Sequence, residues 1–335
     1  MWYNEIGPEQ DVVLSTRVRL ARNLSDLRFR VYMTEEDEQE VLRRVEGLLP
    51  RLGGYLSLSR MSELDEVTRQ KLLEEHLISP DLGTGGGVLL SDDRRVSVLL
   101  NEEDHLRIQA VVAGFDPAGA LDLACRVDDA LEEELNYAFD PEWGYLTSCP
   151  TNMGTGLRLS VMVQLPALQQ LKQIGNLRES LSKIGLTVRG LYGEGSEADG
   201  AVYQISNQIT LGVSETELVE KVTAAMNQVI KMERSAVKEL KERFLDRFSD
   251  PLWRAYGVLS YARKLSGREF MNLYAQVRLG VALGVLPLEE TVEFRELFVT
   301  AQAGMLMAQA GKVLSPAERD LARADKVRAV LKGAI

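Results

Sequence analysis

Residues 156–165 alternate without a break. Leu157, Leu159, Val161, Val163 and Leu165 fall on one parity; Arg158, Ser160, Met162 and Gln164 fall on the other. Successive side chains of a strand point to opposite faces. This period therefore predicts an antiparallel sheet with one face on a core and one face open. Pro166 ends the run, because proline has no N–H to give to a ladder. The open face begins with an arginine, and a buried or semi-buried arginine needs an anionic partner.

The same reading predicts other strands at 11–20, 96–111, 187–189 and 202–205, the last two joined by the glycine-rich stretch 190–200. Helical periodicity marks 36–49 and 122–138. Ser214 and Glu217 stand at capping-box spacing and open a long helix. Beyond it, leucine, alanine, glutamate, lysine and arginine dominate, and residues 230–335 read as all helical. The expected class is therefore α+β, an antiparallel sheet flanked by helices in residues 1–229, followed by a C-terminal all-α domain over 230–335.

A chain of 335 residues suggests about two domains. Its composition, 45% hydrophobic and 27% charged, supports a large core. No apolar run approaches the roughly 20 residues that span a bilayer. The first residues lack a basic and apolar leader, and Cys125 and Cys149 are the only cysteines, so the expectation is a cytoplasmic protein without a disulfide framework. A net charge of -11 argues against a nucleic-acid binder.

Against that acidic background, several arginines share strand faces. Arg17 and Arg19 have one parity. If 96–109 is extended, Glu103, His105 and Arg107 share a face, which favours Glu103 over Glu102 as the outward carboxylate. Side by side with Arg158, these side chains would put several like charges together. Such an arrangement is costly unless an anion fills it, and a polyphosphate matches the bidentate fork of arginine.

Five separated segments strengthen this reading: Ser15-Thr16-Arg17-Val18-Arg19, Asn101-Glu102-Glu103-Asp104-His105-Leu106-Arg107, Cys149-Pro150-Thr151-Asn152-Met153-Gly154-Thr155-Gly156-Leu157-Arg158, Val188-Arg189-Gly190-Leu191-Tyr192-Gly193-Glu194-Gly195, and Val202-Tyr203-Gln204-Ile205-Ser206-Asn207. Together they resemble the signature of the phosphagen (guanidino) kinases, over roughly residues 10–215. The resemblance implies a glutamine-synthetase-like catalytic sheet and phosphoryl transfer from ATP, with Mg²⁺, to a guanidinium. It implies that Arg17, Arg19, Arg107, Arg158 and Arg189 hold the phosphates and that Glu103 accepts the guanidinium proton. Glu194 would clamp the guanidinium from the other side, and Cys149 would contact it as a thiolate. His76 falls where the family has a nucleotide-contacting histidine; a structural histidine is the alternative. Met162 and Gln204 depart from the family's usual histidine and aspartate, which bears on the adenosine contacts. Gly83-Thr84-Gly85-Gly86-Gly87 lacks the lysine and spacing of a P-loop and reads as a turn.

Only sixteen residues precede Arg17, where small-molecule members carry a helical domain that encloses the substrate. The expected site is therefore open enough for a side chain of a larger molecule. Arg319-Asp320-Leu321-Ala322-Arg323-Ala324 resembles the phosphoarginine-binding motif of bacterial protein-arginine kinases. The resemblance implies that Arg319 and Arg323 grip a phosphate, with Asp320 on the guanidinium and Ala324 completing the segment. It further implies protein substrates marked for Clp-type proteolysis, a small zinc-binding activator protein and a homodimer, with no resident metal site, no nucleic-acid binding and no membrane. The alternatives are a small-molecule guanidino kinase and a non-catalytic phosphoarginine-binding adaptor.

Overall fold

A computed structural model of the chain describes every residue except Gly53, residues 191–197 and residues 334–335. In chain order the elements are β1 (Val13–Arg22), α1 (Glu35–Leu48), β2 (Leu56–Arg60), α2 (Glu66–Glu74), β3 (Gly87–Ser91), β4 (Val96–Leu100), β5 (Leu106–Ala113), α3 (Pro117–Glu132), β6 (Phe139–Asp140), β7 (Gly144–Tyr145), β8 (Leu157–Gln164), α4 (Pro166–Gln170), α5 (Ile174–Lys183), β9 (Leu186–Gly190), β10 (Val202–Asn207) and six further helices. Those are α6 (Glu215–Arg243), α7 (Leu245–Tyr261), α8 (Gly267–Ala282), α9 (Val292–Thr300), α10 (Ala303–Ala310) and α11 (Pro316–Gly333). The fold is α+β, as the periodicities require. Eight strands form a sheet in the order β2-β3-β4-β5-β1-β8-β10-β9, and β6 and β7 form a separate pair.

Two compact units share these elements. One comprises Met1–Trp2, Ser15–Ser160 and Ser206–Thr223; the other comprises Tyr3–Leu14, Val161–Ile205 and Ala224–Ile335.

In the first unit, antiparallel pairing runs from β2 through β3, β4 and β5 to β1. Val18, Leu20, Val98, Ile108 and Ala110 are fully buried, and α3 packs on β5 with Ala120, Ala124, Val127 and Leu131 inward. Each large aliphatic side chain buried this way contributes about 1.5–3 kcal/mol. Asp116 caps α3 by accepting the Gly119 N–H at 2.9 Å, with Pro117 in the first turn. Helix α3 therefore starts five residues before the expected 122 and stops at Glu132 rather than 138.

The second unit is dominated by α7, α8 and α11, which pack on one another in the pairs α7–α8 and α7–α11. Phe270, Tyr274 and Phe294 form its aromatic centre, with ring centroids 5.6 and 5.0 Å apart along the series. Back in the first unit, the capping box at Ser214 is formed: Glu217 accepts the Ser214 N–H at 2.8 Å, and Ser214 Oγ accepts the Glu217 N–H at 3.2 Å.

Two strand expectations change. Residues 96–111 are not one strand but a hairpin, β4 and β5, with Leu100 opposite Leu106. Asn101 takes φ +60°, a conformation asparagine tolerates, and its N–H reaches the His105 carbonyl at 2.9 Å, closing the loop. The second face of β8 is also not open. Ser160, Met162 and Gln164 are buried, and Gln164 is occupied by the Gly200 carbonyl at 2.8 Å and by Arg278 at 2.6 Å.

Candidate active site

The antiparallel register places Arg17 opposite Val111, Arg19 opposite Gln109 and Ala21 opposite Arg107, so the three arginines share a face. Arg158 enters from β8 and donates to Ser206 Oγ at 3.1 Å. Burial, reinforced by Arg107 and Arg158, pulls the Arg17 guanidinium down to about 10. Burial and then Arg17, Arg107 and Arg158 lower Arg19 far below its ordinary value. Among the described residues, Arg19 Nε is buried without a hydrogen-bond partner. A cluster of cations whose charge is disfavoured in the folded chain is a receptor for an anion with several oxygens.

His76 lies beside this face. Its ring is 5.6 Å from that of Trp2, its carbonyl accepts from Gln109 at 2.6 Å, and its backbone sits at φ +61°. Burial, then the Arg17 charge, depresses its pKa to about 3, so the ring is neutral at physiological pH.

The acidic side of the site comes from the β4–β5 loop. Because this loop is a turn, strand parity does not select Glu103; its place at the loop tip does. Its side chain is 42% exposed, and Glu102 is 1% exposed. Glu103 Oε2 accepts from Arg107 Nη2 at 3.0 Å and from Asn152 Nδ2 at 3.1 Å, two donors that fix its direction. Glu102 turns inward to Ser79 and Arg107 and takes the Glu103 N–H at 2.8 Å. Sequence reading set Glu102 aside; its pairing with Arg107 could only be found once the loop was known to turn.

The Cys149 loop is held by close backbone approach. Asn152 N–H returns to the Cys149 carbonyl at 3.0 Å. At Gly154, φ +107°, a Cβ would lie 2.3 Å from the Thr210 carbonyl; at Gly156, φ +65°, it would lie 2.6 Å from the Ala21 carbonyl. Only glycine fits either position. Cys149 Sγ is half-buried, 3.0 Å from Thr151 Oγ1. Beneath the loop, Arg22 is fully buried, paired with Asp128 and donating to the Thr155 carbonyl at 3.0 Å. Neither Arg22 nor Asp128 carries a signal in the sequence, since nothing local links them. His105 is a support: its Nδ1 accepts the Leu24 N–H at 2.9 Å, and its Nε2 is 2.8 Å from the Arg28 carbonyl.

The first unit thus brings together Arg17, Arg19, Arg107, Arg158, His76, Glu103 and Cys149. Arg189 is exposed on β9 in the second unit, and Glu194 lies outside the described residues. On α11, Arg319 is half-buried. Arg323 is buried, donating to the carbonyls of Ala301 at 2.8 Å and Leu265 at 2.7 Å and to Asp320 at 2.9 Å. Ala324 is buried beside it. Among the described residues, no group of three or more His, Cys, Asp or Glu side chains could hold a metal ion, and no helix is long and apolar enough to cross a membrane.

An arginine-lined sheet face beside an oriented carboxylate and a thiol defines a guanidino-type phosphotransferase. The family model described as the ATP:guanido phosphotransferase C-terminal catalytic domain matches residues 39–236, and that of the protein-arginine kinase McsB C-terminal domain matches residues 245–334. The chain is 45% identical over 335 residues to the protein-arginine kinase of Desulforamulus reducens, covering 98% of this chain and 94% of that one. It is 43% identical to that of Bacillus subtilis, covering 98% and 92%. Among solved structures, lombricine kinase aligns with a TM-score of 0.58 at 26% identity, covering 68% of this chain and 67% of that one. The duplicated taurocyamine kinase of Schistosoma mansoni with transition-state-analogue components aligns with a TM-score of 0.59 at 27% identity, covering 72% and 37%. The chain belongs to the protein-arginine kinase family of ATP:guanido phosphotransferases.

Proposed function

We propose that the chain transfers the γ-phosphoryl group of ATP to arginine side chains of proteins. The observation that carries this reading is the depressed guanidinium cluster of Arg17 and Arg19, with Arg107 linking it to the oriented carboxylate of Glu103.

The bond between the β–γ bridging oxygen and the γ-phosphorus breaks as a P–N bond forms, and ADP leaves. A guanidinium is protonated at neutral pH, so its nitrogen attacks only as it loses a proton. Glu103 is placed to accept that proton, and Arg107 and Asn152 keep its carboxylate in position. Arg17, Arg19, Arg107 and Arg158 hold the phosphate oxygens and spread the charge of the transferring group, and the family resemblance adds Arg189 to that role. His76 borders the nucleotide as a neutral ring. By family resemblance Cys149 contacts the guanidinium, and Glu194, which lies outside the described residues, is the second carboxylate for it. Mg²⁺ accompanying the nucleotide would supply further neutralisation of the phosphate charge that these arginines meet.

On α11, Arg319 and Asp320 present the accessible edge of a second site for phosphoarginine, and buried Arg323 and Ala324 stand behind them, Arg323 with its Nε and Nη1 on the Ala301 and Leu265 carbonyls and on Asp320. The exposed apolar side chains Trp253, Val258 and Tyr261 on α7 suit a homodimer. By family resemblance the enzyme works in the cytoplasm, answers to a zinc-binding activator protein and marks proteins for Clp-type proteolysis.

The test is incubation with Mg-ATP and an arginine-rich protein, read by mass spectrometry under neutral conditions that preserve phosphoramidates. Acid-labile phosphate on arginine side chains is the expected result. Rapid turnover of free arginine with none on protein would make the chain a small-molecule kinase.

A further inference from the structure

Residues 139–145 form a hairpin that the phosphate chemistry does not use. Phe139 pairs with Tyr145 and Asp140 with Gly144. Asp140 Oδ1 accepts the N–H groups of Glu142 and Trp143 at 2.8 and 3.0 Å and so fixes the turn. The inner side of the hairpin is occupied: the Tyr145 ring covers the Arg22 guanidinium at 3.6 Å, and Phe139 stands edge-on to Tyr145 at 5.2 Å. Even so, Phe139 is 58% exposed, and Trp143 on the turn is 45% exposed. Glu142 is exposed on the turn next to Trp143 in the chain, and Glu132 and Glu133 are exposed at the end of α3. Glu132 accepts the Tyr145 hydroxyl at 3.3 Å, which fixes the acidic end of α3 to the hairpin.

Two exposed aromatics on a hairpin that carries Glu142 and is tied through Tyr145 to the acidic end of α3 suit a cationic partner. Guanidinium and ammonium groups stack on ring faces, and nearby carboxylates complete the pairing. The hairpin is also continuous with the reaction site. Tyr145 and Gly154 exchange both backbone hydrogen bonds, at 2.8 and 3.2 Å, so it is the next layer beyond the Cys149 loop.

We propose that this hairpin docks the basic segment of the protein substrate that flanks the target arginine. Lysine or arginine side chains would lie on Trp143 and Phe139 and pair with Glu142 and the α3 carboxylates. The inference rests on the reading of a protein substrate and adds what the enzyme selects in it. Cys149 follows Trp143 by six positions, at most ~20 Å of extended chain. Cations within about six residues of the target arginine are therefore the ones the hairpin can reach.

The test uses the full chain and two peptides, each with one arginine, flanked on both sides by lysines in one and by serines in the other. Affinity is read by fluorescence anisotropy without nucleotide, and transfer is read separately by mass spectrometry. The lysine peptide should bind the wild type about tenfold more tightly than the serine peptide. The Phe139→Ala, Trp143→Ala double variant should lose that preference, Trp143→Phe should keep it, and ATP affinity should not move. Equal affinity of the two peptides for the wild type, or an unchanged preference in the double variant, would overturn the proposal. Binding that follows the hairpin while neither peptide is phosphorylated would support the docking surface and count against the kinase reading, so the two failures are separable.

Discussion

Asp104 Oδ1 accepts the backbone N–H of Ser148 at 2.7 Å, while Asn23 Nδ2 donates to the same oxygen at 2.7 Å. Asp104 is fully buried in the loop that carries Glu103, and Ser148 precedes Cys149, so one carboxylate fixes the distance between the carboxylate and thiol sides of the site. Asp104→Ala would remove the acceptor of the part-buried Ser148 N–H and one of the two acceptors of the Asn23 amide, at about 1–3 kcal/mol in all. Denaturant unfolding should show a loss of that order, and kcat should fall by more than KM for ATP rises.

Glu103 has a different signature because its side chain is partly exposed and does not support the fold. Glu103→Gln keeps the shape and removes the proton acceptor. Transfer should drop by about 10²–10⁴-fold, with nucleotide affinity by calorimetry and the thermal midpoint nearly unchanged. Equal turnover in the variant would remove Glu103 from the proton transfer.

The arginine face predicts a response to anions without chemistry. Folding lowers the Arg17 pKa to about 10. A base with a depressed folded pKa costs stability at every pH below that value, and the cost fades only above pH 10. Tripolyphosphate should therefore stabilise the chain at neutral pH, by about 2.7 kcal/mol at a hundredfold excess over its Kd. Arg17→Met should raise the stability of the ligand-free chain and reduce the response to tripolyphosphate.

Glu233 gives a pH dependence of the opposite kind. It is buried on α6, accepts the Ala167 and Leu168 N–H groups at 2.8 and 3.0 Å, and is raised to about 7 by burial against those two hydrogen bonds. The folded chain therefore holds this proton where the unfolded chain has released it. Stability should fall as pH rises from about 4.5 to about 7, by about 3 kcal/mol. In Glu233→Gln that component of the slope should vanish in urea unfolding at stepped pH.

The two arginines of α11 should separate cleanly. Arg323→Ala leaves the Ala301 and Leu265 carbonyls without their buried donor and should lower the thermal midpoint by several degrees. Arg319→Ala should leave the midpoint within a degree or two and weaken phosphoarginine binding measured by calorimetry.

Much of this was fixed by local order. The alternation of 157–165, the pair Arg17 and Arg19 and the Ser214–Glu217 box each depend on neighbours within a few residues, where a period of two or a spacing of three is decisive. The tertiary structure decided what lies across turns and between distant segments. Parity could not survive the turn at Asn101, so the inward role of Glu102 and the tip position of Glu103 appeared only once β4 and β5 were paired. Nor could the sequence show that Arg22 would be buried on Asp128, or that Arg323 would spend its donors on two carbonyls. Local pattern fixes which way a side chain leaves its own strand or helix, but burial and charge pairing depend on which distant backbone it meets.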